Sequence, residues 1–151
     1  MGGPEPGPIE GLLQDYEVET VLNSRYKDGM LSSVQCGLKA VPDRTDAVMV
    51  LLGDQPMIEY SVTDKLIGAF RESREGIFIA THLGRRGHPI LFSSEYIKEV
   101  TEFPEDESLK DLLDKYPEKI REIETGQAEI LRDIDNEKDY MEELKHQNNH
   151  D

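Results

Sequence analysis

The sequence of 151 residues contains one cysteine, few basic residues and no long apolar run. Because Cys36 stands alone, an intrachain disulfide and a cysteine-based metal site are both excluded. The apolar stretch at residues 47–53 is far too short to span a bilayer. The turn-rich start MGGPEPGPIEG lacks the cationic and apolar parts of a signal peptide. We therefore expect a cytoplasmic protein without a membrane partner.

Basic charge is scarce relative to acidic charge, with 17 Lys and Arg against 32 Asp and Glu and a formal net charge of −15. A surface this negative repels nucleic acid and anionic lipid, so neither is expected as a partner. A small phosphorylated ligand would need a local basic patch or a divalent metal to offset that charge. The length and the 36% of hydrophobic residues predict a single domain, residues 1–151, with a buried core.

Helical and strand-like segments alternate along the chain, which predicts an α/β layered domain with a mostly parallel sheet. Strands are predicted at residues 18–22, 47–53, 76–82 and 89–92. The strand at 47–53 is uniformly apolar and is predicted to be covered on both faces. Residues 119–125 and 129–134 flank Gly126-Gln127 and are predicted to form a hairpin. Helices are predicted at residues 9–16, 30–41, 56–72, 96–100, 109–116 and 136–145.

Acidic residues follow the predicted strands, where ligands of parallel α/β sheets bind. Asp54 ends the apolar strand in LLGDQP and could hold Mg²⁺ with substrate phosphates, since Mg²⁺ takes one or two protein carboxylates. The alternative is that Asp54 or Gln55 caps the helix opened by Pro56. Asp133 and Asp135 point the same way if their segment is extended, which makes both candidates for the same metal.

A cationic segment, Gly84-Arg85-Arg86-Gly87-His88-Pro89, stands out in this acidic chain. Its two glycines predict a flexible loop, and its arginines suit an acceptor phosphate or carboxylate. His88 could orient a substrate, although a single histidine before a proline is also typical of a turn.

Two segments match helix starts. Ser32 and Gln35 have the spacing of a capping box, although backbone N–H groups there could also meet a nucleotide base or phosphate. Asn136 is interpreted as the N-cap of the last helix and Asp139 as a structural acid in its first turn.

Four segments together resemble, in order, motifs of the MobA-like nucleotidyltransferases, and most of all the molybdenum cofactor cytidylyltransferase branch. They are NSRYKDGMLSSVQCGL, LLGDQP, RGHPILFS and DIDNEKDY. The resemblance implies a Rossmann-like fold of the GT-A type and Mg²⁺ dependence. It also implies transfer of CMP or GMP from a nucleoside triphosphate to a phosphorylated acceptor such as molybdopterin.

The resemblance also implies roles for residues by position. It makes Asp54 the metal ligand with Asp133 as its partner, and it places Ser33 near the nucleotide and Gly87, His88 and Pro89 near the acceptor. Arg86 of the cationic segment and Asp135 of the acidic one complete the predicted site.

The start of the chain departs from the family pattern. Family members begin with a buried strand and a Gly-rich loop whose arginine and lysine cradle the triphosphate, whereas GGPEPGPIEG resembles the turn after their second strand. We therefore expect the domain to be N-terminally truncated, with unpaired strand edges that another chain could complete. PEDESLKDLL replaces the usual Gly-Asp-x-Gly-Ala-Arg segment, so the acceptor stays open.

These expectations define a first function and an alternative. The first is a nucleotidyltransferase that is inactive as this isolated chain, because the triphosphate loop is missing. The alternative is a non-catalytic remnant that serves as an acceptor-binding or subunit-interaction module. A GT-A glycosyltransferase is disfavoured, because no Asp-x-Asp motif ends a strand near the middle of the chain.

Overall fold

The computed structural model describes residues 6–147. These residues form two compact units. The first unit comprises the described residues up to Thr45 together with 94–117, and the second comprises 46–93 and the described residues from Glu118 onward. The helices and strands, in chain order, are α1 Pro6–Leu13, α2 Met30–Leu38, β1 Ala47–Val50, α3 Tyr60–Ser73, β2 Ile77–His82, β3 Arg85–Ser93, α4 Ile97–Glu102, α5 Leu109–Lys115, β4 Ile120–Glu124 and α6 Glu137–Gln147.

The second unit contains a four-stranded sheet in the order β1-β3-β2-β4. β2 and β4 are parallel, whereas β3 is antiparallel to both of its neighbours. Three strands therefore run in one direction, and β3 runs against them. The predicted α/β class is confirmed, while the reversed strand was not foreseen.

A tight turn explains the direction of β3. β2 and β3 form a hairpin whose two turn residues, Leu83 and Gly84, both have positive φ values of 50° and 75°. Such a two-residue turn matches the twist of the flanking strands. The predicted flexible loop at residues 84–89 is therefore wrong, because Arg85 onward pairs with β2 as the first half of β3.

An irregularity interrupts the pairing of these two strands. Ile79 pairs with Ile90, but Thr81 pairs with Arg86, so β3 has extra residues opposite Ala80. These extra residues belong to the Gly87-His88-Pro89 segment. A bulge of this kind redirects side chains that regular pleating would place elsewhere.

The core of the second unit lies between the sheet and α3. Val62, Leu66 and Phe70 recur at helical spacing, so they form one apolar stripe. This stripe packs with buried residues of the strands and with Ile130, which comes from a short 3-10 helix at Ala128–Leu131. α3 and the sheet therefore cover each other in two layers.

Several sequence predictions at the edges of the sheet are wrong. Residues 18–22 form no strand, and Val18 and Leu22 are 54% and 73% exposed, because no neighbouring strand pairs with them in the described part of the chain. Residues 129–134 do not complete a hairpin, since Ala128–Leu131 coils to bury Ile130. β1 is half-buried instead of covered on both faces, because it lies at the end of the sheet.

The first unit is helical. α2 is tied to the end of α4 by Gln35, whose Nε2 donates to the carbonyl oxygens of Val100 at 3.1 Å and Phe103 at 2.9 Å. α5 begins with a capping box formed by Ser108 and Asp111. Among residues 6–147, no helix combines the length and apolar character needed to cross a bilayer.

The core stripe of α3 generates a stability prediction. Leu66 is fully buried, so Leu66→Ala should lower the free energy of unfolding by about 2–5 kcal/mol through lost burial and a cavity. Leu83→Ala removes the same atoms from a side chain that is 82% exposed. This control should change the free energy of unfolding by less than about 0.5 kcal/mol. Urea unfolding followed by circular dichroism measures both, and equal losses would contradict the packing described here.

Candidate functional site

The candidate site forms where the chain leaves β1 and meets the segment after the 3-10 helix Ala128–Leu131. The backbone N–H of Ile134 donates to the carbonyl oxygen of Asp54 at 2.8 Å. This bond joins two segments that are far apart in sequence. It brings Asp133, next to Ile134, to the carboxyl end of β1, where Asp54 lies.

A side-chain bond beside it links the same two segments. Gln55 is 7% exposed, and its Nε2 donates to Oδ1 of Asp133 at 2.6 Å. The alternative that Asp54 or Gln55 caps the following helix is wrong, because α3 begins at Tyr60 and its N-cap residue is Glu59. Both carboxylates, Asp54 and Asp133, are exposed to solvent.

His88, in the bulge of β3, lies near enough to these carboxylates to feel their charge. Its ring is half-buried, and Nε2 is buried with no hydrogen-bond partner among the described residues. Burial lowers the pKa of His88, while the nearby charges of Asp133 and Asp54 oppose that shift. Two carboxylates and one imidazole therefore share this end of the sheet.

Gly87 makes the approach of the 3-10 helix feasible. A Cβ added at Gly87 would overlap the backbone carbonyl oxygen of Ile130, so any larger residue there would push the two segments apart. The neighbouring Pro89 is fully buried. Both residues therefore have packing roles, and their predicted position near an acceptor stays a prediction.

Arg86 belongs to the same strand but has an ion pair. Its Nε donates to Oε1 of Glu122 on β4 at 2.7 Å, and both side chains are nearly half exposed. This pairing holds the guanidinium group at the surface of the sheet.

Asp135 follows a different course from Asp133. Its backbone N–H donates to Oδ2 of Asp139 at 3.2 Å, at the start of α6. The N–H of Asp139 in turn donates to Oδ1 of Asn136 at 3.1 Å, which confirms Asn136 as the N-cap and Asp139 as structural. Within residues 6–147, no three His, Cys, Asp or Glu side chains form a group that could hold a metal, so neither Asp135 nor His88 joins Asp54 and Asp133 in such a group.

Ser33 lies in the first unit, exposed on α2. Its hydroxyl oxygen accepts a bond from Nδ2 of Asn23 at 2.9 Å. The predicted capping box is wrong, because α2 begins at Met30 and Ser32 already lies within the helix. The hydroxyl of Ser32 donates to the carbonyl oxygen of Gly29 at 2.8 Å. Gln35 bonds to α4 instead.

The sequence matches the MobA-like NTP transferase domain family over residues 3–120, and the chain belongs to that family. It is 27% identical over 135 residues to the molybdenum cofactor cytidylyltransferase of Escherichia coli K12. The match covers 87% of this chain, and the chain spans 65% of that relative. The predicted family and its similarity to this branch are confirmed.

Two solved structures share the fold. A 4-diphosphocytidyl-2C-methyl-D-erythritol synthase from Anaerococcus prevotii has a TM-score of 0.74 at 16% identity, over 94% of this chain and 74% of its own. Rv0371C from Mycobacterium tuberculosis, solved in complex with manganese, has a TM-score of 0.63 at 24% identity, over 75% and 59%. At these identities they show the fold alone, and the predicted nucleotidyltransferase-type fold is confirmed.

The close approach at Gly87 can be tested by adding a methyl group. Gly87→Ala should lower the free energy of unfolding by about 1–3 kcal/mol, because the carbonyl of Ile130 must move. Gly68→Ala is a matched control within α3, where an added Cβ meets no other atom within 4 Å. It should raise the free energy of unfolding by about 0.5–1 kcal/mol, because alanine favours the helix. Denaturant unfolding measures the free energy of unfolding of both variants. An unchanged value for Gly87→Ala would contradict the close contact with Ile130.

The electrostatics around His88 give a pH prediction. The pKa of His88 should lie below the ordinary 6.5, and Asp133→Asn should lower it further, because the carboxylate opposes the effect of burial. The neutral ring contributes stability above pH 6.5 that is lost as the pH falls through the lowered pKa, since the unfolded chain takes up the proton first. An NMR titration of the His88 ring measures the shift. A midpoint unchanged or raised in Asp133→Asn would contradict this arrangement.

Proposed function

We propose that this chain carries the metal and acceptor side of a Mg²⁺-dependent nucleotidyltransferase. The reaction is transfer of CMP or GMP from a nucleoside triphosphate to a phosphorylated acceptor such as molybdopterin. The observation that carries the proposal is the pair of exposed carboxylates, Asp54 and Asp133, held beside the half-buried His88. Membership of the MobA-like family supports it.

The two carboxylates fit a hard divalent cation. Mg²⁺ prefers oxygen ligands, and it usually takes one or two protein carboxylates while phosphates and water fill its other positions. Asp54 and Asp133 are exposed, so a triphosphate can reach them. When bound, the cation would neutralise the charge on the phosphates. Asp135, the third predicted ligand, lies apart from this pair at the start of α6, where its backbone N–H donates to Oδ2 of Asp139.

His88 has the features of an acceptor-orienting residue. Burial favours the neutral ring by lowering the pKa of His88, so the imidazole adds no charge that would repel a cation nearby. Its buried Nε2 has no partner in the described part of the chain, and an unsatisfied buried polar group of this kind is typical of functional sites. Arg86, paired with Glu122 on β4, supplies positive charge for an anionic acceptor.

The nucleotide contact is assigned to the first unit. Ser33 presents an exposed hydroxyl near the start of α2, and Asn23 orients it. We propose this hydroxyl as a contact for the nucleotide, and the cytoplasm as the place where the reaction occurs.

One edge of β1 pairs with no strand among residues 6–147. This edge supports a further part of the proposal, that a strand from another polypeptide completes the sheet. Beside β1 lies a cavity of about 560 Å³, lined by Ala47, Met49, Ile67, Phe70 and Leu91 together with Asp46, Arg71 and Arg74, so its cations outnumber its one acid. These residues suit a strand that is apolar on one face and carries a carboxylate. In the isolated chain, hydrogen exchange should be faster in β1 than in β2, and equally slow exchange would contradict an open edge.

The isolated chain should not turn over nucleotide. It spans 65% of the cytidylyltransferase that it resembles, and its candidate site offers two carboxylates and one imidazole toward a highly charged triphosphate. We expect no pyrophosphate release from CTP or GTP with Mg²⁺, with or without molybdopterin. Measurable release that Asp54→Asn abolishes would contradict the expected inactivity and support the reaction.

Metal binding separates the two functions that remain. The isolated chain should bind Mn²⁺ in a titration, and Asp54→Asn should weaken that binding strongly, because it removes one of the two anionic ligands. Asp64→Asn, on the exposed side of α3, is the control and should leave binding unchanged. Binding of a phosphorylated acceptor without any affinity for Mn²⁺ would favour the non-catalytic module.

A further inference from the structure

Gln55 is a buried amide that follows Asp54 in the chain and bonds to Asp133, the second carboxylate of the candidate site. Its side chain is 7% exposed, and Nε2 lies 2.6 Å from Oδ1 of Asp133. Its other polar atom, Oε1, is buried and has no hydrogen-bond partner among the described residues. A buried polar atom without a partner is destabilising, so packing alone does not account for a glutamine here.

Two adjacent residues hold the opposite segment. The carbonyl oxygen of Asp54 accepts the N–H of Ile134, and the side chain of Gln55 donates to Asp133, one residue earlier. The backbone bond fixes how closely the segments approach. The side-chain bond then fixes the direction of the Asp133 carboxylate.

The chemistry of the amide matters as much as its position. Asp54 and Asp133 are both anionic, so their repulsion favours turning the Asp133 side chain away into solvent. A neutral N–H donor opposes that rotation without neutralising the carboxylate, whereas a lysine would compete with a cation. The bond uses Oδ1 of Asp133, and Oδ2 is then directed by it.

We propose that Gln55 is a positioning residue, which orients the Asp133 carboxylate so that it and Asp54 bind one divalent cation. This inference rests on the proposed function, because it presumes a cation between those carboxylates. Gln55 contacts Asp133 and acts through it.

The test compares two glutamines of the second unit. Gln127 also has a buried Oε1 without a partner in the described residues, but its Nε2 donates to Glu59 and Ser61 instead. Gln55→Met and Gln127→Met each keep much of the side-chain volume and remove one amide. Mn²⁺ binding is followed by electron paramagnetic resonance, and thermal unfolding of each variant reports on structure.

Gln55→Met should weaken Mn²⁺ binding about 10-fold or more, as is typical when the partner of a metal ligand is lost. Gln127→Met should change the Mn²⁺ affinity less than about twofold, because the partners of Gln127 are Glu59 and Ser61 and sites without shared partners act independently. In an Asp133→Asn background, Gln55→Met should have no further effect on Mn²⁺ affinity. Gln55→Asn keeps an amide but shortens its reach, so it should also lose affinity and serves if Gln55→Met fails to fold.

Each outcome is decisive. The inference is supported if the wild-type chain binds Mn²⁺, Gln55→Met binds it more weakly, and Gln127→Met binds it as the wild type does. Equal Mn²⁺ affinity of Gln55→Met and the wild type, or an undiminished effect in the Asp133→Asn background, overturns it and leaves the proposed function standing. Absence of Mn²⁺ binding by the wild-type chain contradicts the proposed function, and this inference with it.

Discussion

The contact on which the second unit depends is the approach of two backbones, that of Gly87 on β3 and that of Ile130 in the 3-10 helix. No side chain separates them, and a Cβ at Gly87 would overlap the Ile130 carbonyl. Because the helix can lie this close, Ile130 reaches the core under α3 and is fully buried there. The segment that follows then leads directly to the end of β1.

The site follows from that contact together with the bulge in β3. The bulge shifts the register of β2 against β3 between Ile79 and Thr81. His88 lies in this irregular stretch of β3, within the influence of the charges of Asp54 and Asp133. The 3-10 helix delivers Asp133 from the other side, and Gln55 binds it. Three pieces of chain that are distant in sequence thus meet at one sheet end, in agreement with the general location of ligands in α/β sheets.

The sequence predicted those features that depend on local pattern. Apolar spacing located α3 and β2, and the strand end at LLGDQP drew attention to Asp54, whose metal-binding role stays a prediction. The direction of β3 was missed, because the turn at Leu83-Gly84 requires a positive φ at a leucine, a residue that rarely adopts it. Residues 18–22 have an apolar pattern but no strand to pair with in the described chain, and a pattern cannot reveal that.

Gln55 was missed for a related reason. Beside Pro56 a glutamine suggested a helix cap, and only the fold shows that α3 starts later and that Asp133 lies within reach. The adjacent Asp54 could have drawn attention to Gln55, since two polar residues directly after an apolar strand indicate a binding site as well as a turn. Membership of the family fixed the fold well, while individual roles depended on long-range contacts.

The separation in sequence between the members of the site affects how the chain folds. Gln55 and Asp133 are 78 positions apart, so the first and last parts of the second unit must come together before either carboxylate has its final neighbour. Closing such a long loop is slow relative to forming helices, and the site is therefore completed late. A ligand that binds only the completed arrangement would shift the equilibrium toward the folded state and would protect the C-terminal segment from proteolysis.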